Sequence, residues 1–76
     1  MSIVEGIVSG TVKRVMSERG FCFVEVEGQE SEVFCHISGF SNRSDFESLV
    51  QGDEVNMELE DTEKGIQGNN VVKIRG

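Results

Sequence analysis

At 76 residues, with 37% hydrophobic and 28% charged side chains, the chain has the size of one globular domain and too small a core for a deep catalytic cleft. The net charge of −7 excludes the simplest nucleic-acid binder, a basic surface held to phosphates by counterion release. It does not exclude a surface that stacks bases on aromatic rings, because that contact carries no charge requirement. Two cysteines and one histidine cannot supply the four ligands of a structural zinc site, and no cofactor loop is present, so neither metal nor cofactor is expected. The start MSIVEG has neither a basic segment nor an apolar core, and no apolar run approaches a membrane span, so a cytoplasmic protein is expected.

Glycines at 10, 20, 28, 39, 52, 65 and 68 punctuate the chain, with β-branched and aromatic runs between them. The first predicted strand is Ile7–Met16. The second, Phe21–Val26, alternates Phe21, Phe23 and Glu25 on one face with Cys22, Val24 and Val26 on the other. A glycine-containing hairpin loop, Glu27–Glu30, leads to a third strand, Glu32–Ile37, where Val33, Cys35 and Ile37 oppose Phe34 and His36. Pairing about this loop sets Phe21 opposite His36, Phe23 opposite Phe34 and Cys22 opposite Cys35. Four ring-bearing side chains then share one face of one hairpin. Either that face meets a partner, or it is a second buried face in a sandwich; the pattern alone permits both.

Ser38–Gln51 offers one short helical turn, around Asp45–Leu49. Glu54–Glu60 and Asn70–Arg75 complete five strands, with Thr62–Asn69 between them as a loop. The fold expected is all-β, a five-stranded antiparallel OB-type barrel forming a single domain over residues 1–76, with 1–6 as an N-terminal extension. Val12, Val24, Val26, Val33, Val55, Met57, Leu59 and Val71 form its expected interior, with Phe40. Cys22 and Cys35 are expected to be buried, reduced thiols rather than a disulfide.

Two stretches, Arg19-Gly20-Phe21-Cys22-Phe23-Val24 and Val33-Phe34-Cys35-His36-Ile37, resemble the paired strand motifs of the cold-shock domain family. Gly10-Thr11-Val12-Lys13, Ser38-Gly39-Phe40, Phe46, Leu49, Gly52, Val55, Gly65 and Asn70-Val71 extend the similarity over nearly the whole chain. The resemblance implies an OB-type barrel whose second and third strands stack the bases of single-stranded RNA or DNA. On this chain the implied stacking residues are Phe21, Phe23, Phe34 and His36, with Phe46 as a fifth ring from a loop unless it tucks inward. Lys13, Arg19 and Lys64 would contact phosphates at the rim.

The first strand departs from that pattern. Where the family carries lysine-tryptophan-phenylalanine-asparagine, this chain reads Lys13-Arg14-Val15-Met16, and the third motif ends in Ile37 rather than an aromatic. Losing up to three rings would remove on the order of 3–6 kcal/mol of stacking if the losses add. Arg14 is a partial substitute, because a guanidinium plane stacks on a base and attracts phosphate. Val15 and Ile37 offer apolar contact only.

The expected function is non-catalytic: a single-stranded nucleic-acid-binding RNA chaperone with reduced affinity, a monomer or weak dimer. His36 has no nucleophile, carboxylate pair or metal motif beside it, so an enzyme is not expected. The alternative is an adaptor barrel that binds a protein through a patch of Val15, Ile37 and Phe34.

Overall fold

The computed structural model describes residues 6–75. Five strands, β1 (Val8–Met16), β2 (Phe21–Val26), β3 (Val33–His36), β4 (Glu54–Thr62) and β5 (Gly65–Arg75), close into a barrel in the order β1-β2-β3-β5-β4. The OB-type barrel expected from the glycine spacing is therefore present. Apart from Gly6, the expected N-terminal extension lies outside the described residues.

The barrel is not wholly antiparallel. β3 and β5 run parallel, bridged at Phe34 and Gln67, and Phe40 makes a further parallel bridge to Val71. Parity requires this: strands that reverse direction at every connection give the third and fifth the same direction, and closure makes them neighbours.

The interior is built by alternation. Val12, Cys22, Val24, Val33, Cys35, Val55, Met57, Leu59 and Val71 are almost fully buried, each separated along its strand from the next by an outward side chain. Every expected interior residue is in this core, including Val26 and Phe40. Gly10 is required where β1 crosses β2, since a Cβ there would stand 2.5 Å from Val24 Cγ1 and 2.9 Å from the Glu25 carbonyl oxygen.

The fifth strand begins five residues earlier than expected, at Gly65, and the fourth runs on to Thr62. Residues expected to form a loop are thus largely the arms of a hairpin. Its turn is tied by Thr62, whose Oγ1 donates to the Gly65 carbonyl at 2.7 Å and accepts the Lys64 N–H at 3.2 Å. β3 ends one residue short of Ile37, which enters a single 3-10 turn, Ile37–Gly39.

The helical turn is α1, Arg43–Glu47, two residues earlier than expected. Its placement depends on a distant residue: Asp45 Oδ2 accepts the backbone N–H of Lys73 on β5 at 3.1 Å. α1 and the residues after it seal one end of the barrel with Phe46 and Leu49, and the Phe46 ring meets Phe40 edge-on at 5.3 Å. Beside this plug lies Asp53, the one buried charged side chain among the described residues. It accepts the Val50 N–H at 2.9 Å and pairs with Lys73 Nζ at 3.4 Å, while its own carbonyl accepts the Val12 N–H.

Candidate nucleic-acid interface

The hairpin register is the expected one: Phe21 opposite His36, Cys22 opposite Cys35, Phe23 opposite Phe34. Phe21, Phe23 and Phe34 are half-buried and His36 is exposed, so these rings form the outer face and not a second core. The phenylalanines make a triangle with centroids 5.5 Å (Phe21–Phe23), 5.3 Å (Phe21–Phe34) and 6.0 Å (Phe23–Phe34), and His36 lies 6.4 Å from Phe34. Tilted and edge-on contacts set the rings at angles to one another.

A β-bulge decides what joins them from β1. Strict alternation from the buried Val12 would turn Arg14 inward and Val15 outward. Instead the register slips between Val12 and Arg14, and Lys13 is the extra residue. Arg14 therefore pairs with Phe23, Val15 with Cys22 and Met16 with Phe21. Val15 packs against the core, as does Ile37 beyond β3. Ile37 thus lies on the side expected from alternation with Val33 and Cys35, and the exposed patch of Val15, Ile37 and Phe34 expected for an adaptor is not formed.

Two transverse rows result. One runs Arg14–Phe23–Phe34–Gln67 across β1, β2, β3 and β5; the other runs Met16–Phe21–His36. With strands about 4.8 Å apart, the longer row spans about 14 Å. The Arg14 guanidinium carbon lies 5.7 Å from the Phe23 centroid, within cation–π range. Met16 and Gln67 were not anticipated from sequence. Met16 depends on the bulge, and Gln67 sat in the supposed loop; the Thr62-Glu63-Lys64-Gly65 turn pattern was the available signal for the latter.

His36 is oriented by its neighbour. Its Nδ1 accepts the Ser38 backbone N–H at 3.1 Å, with Ser38 Oγ 2.9 Å away. Nδ1 is thus the acceptor nitrogen, which puts the proton of the neutral ring on Nε2, as a donor away from the Ser38 turn.

The expected cations are dispersed. Lys13 is held by Glu25 at 3.5 Å, an exposed pair of small energy. Arg19 is exposed in the β1–β2 turn. Lys64 borders a groove of about 880 Å³ between Phe23 and Phe34 on one side and the Thr62–Gln67 arm on the other, closed by Gly28–Glu32. Phe46 does not join this face. It is 3% exposed and packed on Phe40, because α1 turns the side shared with Leu49 inward.

Directly beneath the rings, Cys22 and Cys35 are both free and fully buried. Cys35 is pushed well above the ordinary thiol range by its hydrogen bond with Cys22 and by burial. Among the described residues, no group of three or more His, Cys, Asp or Glu side chains could hold a metal ion. None of their helices is long and apolar enough to cross a membrane.

Comparison with known proteins points the same way. Residues 8–74 match the "'Cold-shock' DNA-binding domain" family. The chain is 46% identical over 67 residues to "Cold shock-like protein CspE" of Bacillus anthracis, covering 88% of this chain and 97% of that protein. It is 43% identical to "Major cold shock protein CspA" of Bacillus cereus over the same shares. Against "Cold shock protein CspA" of Staphylococcus haemolyticus it is 45% identical over 65 residues, 86% of this chain and 96% of the other. The family binds nucleic acid and is not enzymatic. Barrel order, ring-bearing hairpin and sequence match agree: the chain belongs to the cold-shock domain family.

Proposed function

We propose that this protein binds single-stranded nucleic acid on the two transverse rows and acts as an RNA chaperone in the cytoplasm, as a single-domain monomer or weak dimer. The observation that carries the reading is Phe21, Phe23 and Phe34 held outward at 5.3–6.0 Å from one another, flanked by Arg14, His36 and Gln67. Unpaired bases lie on such rings with little regard to sequence, since every base has a π face. A base engaged on a ring is unavailable for pairing, so binding holds a strand open without chemistry. Polar groups at the ends of the rows, among them the Nε2–H of His36, donate to base edges or phosphates.

Affinity is lower than for a barrel that carries the family's tryptophan on β1, because Arg14 stands in its place on the outer face, paired with Phe23. Phosphate attraction is also modest: Lys13, Arg14, Arg19 and Lys64 act against a net charge of −7. The protein-adaptor reading, motivated by the lost rings and the net charge of −7, loses the surface it would use, since Val15 and Ile37 pack against the core.

A fluorophore–quencher RNA hairpin tests the chaperone activity. Opening of the hairpin should rise with wild-type protein and be largely lost with the folded double variant Phe23→Ala/Phe34→Ala. Equal opening by both proteins would refute the role of the rings.

A further inference from the structure

We propose that Arg14 makes the β1 end of the longer row selective for guanine. The inference rests on the reading of the ring face as a strand-stacking platform and adds base preference at one position. The bulge at Lys13 brings Arg14 into register with Phe23 on the same outer face. Its guanidinium lies over the ring, 5.7 Å from the centroid, so a base that stacks on Phe23 displaces it to the base's own edge, where the planar fork stays within reach. Lys13, one residue earlier, is instead engaged with Glu25, so Arg14 is the cation directed at the ring.

A guanidinium at a base edge has a definite preference. It donates two parallel hydrogen bonds to guanine O6 and N7, an edge that is fully open in an unpaired strand. Adenine offers N7 but sets a donor where O6 would be, and thymine offers no such pair. Discrimination of one base by a bidentate contact is about 5- to 150-fold.

The test is fluorescence anisotropy with labelled oligothymidines carrying one central substitution. Guanine at that position should tighten binding by about tenfold over thymine. Inosine, which keeps O6 and N7, should match guanine; 7-deazaguanine and adenine should fall back toward thymine. Arg14→Gln and Arg14→Lys, checked for folding by thermal melting, should weaken the guanine strand more than the others: Arg14→Gln should erase the guanine advantage, and Arg14→Lys, which still donates to O6 and N7 but lacks the planar fork, should reduce it. Equal affinity of wild type for the guanine and adenine strands, or a guanine advantage that survives in Arg14→Gln, overturns the proposal while leaving the platform intact. No binding of any strand overturns the platform as well.

Discussion

Replacing Phe34 by alanine removes the ring that the others share. It stands 5.3 Å from Phe21, 6.0 Å from Phe23 and 6.4 Å from His36, and it bridges in register to Gln67. Loss of one stacked base costs about 1–3 kcal/mol, so single-strand affinity should fall by about 5- to 150-fold. Stability should fall much less than in a core deletion, because Phe34 is only half-buried; losing its contacts with two phenylalanines costs about 1–3 kcal/mol. Phe34→Leu separates the effects, since it restores apolar volume without a π face. Anisotropy at fixed salt, beside thermal melts, should show Phe34→Leu melting near wild type yet binding weakly. Wild-type affinity in Phe34→Leu would refute stacking as the source of binding, and wild-type affinity in Phe34→Ala would remove this face from the interface.

Other consequences concern the frame that holds the rings. Asp53→Ala leaves the Val50 N–H without its acceptor and takes the carboxylate from the Lys73 ammonium, which is 23% exposed and keeps the Ser48 carbonyl and Oγ, so urea unfolding should show a loss of about 2–3 kcal/mol. That is a large part of the roughly 4–11 kcal/mol available to a chain of this length. Asp53→Asn, which still accepts from Val50, should lose less. Gly10→Ala forces a Cβ to within 2.9 Å or less of Val24, Glu25 and Val26 and should cost about 1–3 kcal/mol by the same measurement. Alkaline stability should report on Cys35. Unfolding frees its thiol to ionise near the ordinary value of 9, whereas the folded thiol stays protonated; above that pH the unfolded state binds fewer protons and stability falls. Cys22, whose thiol is lowered by its hydrogen bond with Cys35, acts in the opposite sense below that pH, so denaturant midpoints from pH 9 to 10.5 should decline less steeply in the double variant Cys22→Ala/Cys35→Ala than in wild type.

The strands that carry the rings were the most legible part of the chain. Phe21–Val26 and Val33–His36 each bury one alternating face, and a one-residue slip would have exposed every valine, so pattern and register specify each other. The bulge was not legible. Lys13 and Arg14 are both polar and exposed, and no local preference says which is the extra residue; closure of β1 onto both β2 and β4 decides it. Phe46 was ambiguous for a related reason. Whether its ring faces in or out depends on how α1 is anchored, and the anchor, the Lys73 backbone, is 28 residues away from Asp45. The early start of β5 was hidden because Gly65, Gly68 and two asparagines read locally as loop. Yet Gly68 sits where a Cβ would stand 2.7 Å from Cys35 Sγ, so its glycine serves packing rather than a turn.

The most direct test of the stacking face is an NMR titration of uniformly labelled protein with a short oligothymidine. Shift changes should concentrate on Arg14, Phe21, Phe23, Phe34, His36 and Gln67, with the outward residues of β4, Asn56 and Glu58, unmoved. Changes centred on β4, or none at about 1 mM strand, where even a binding free energy of about −4 kcal/mol would register, would contradict the account.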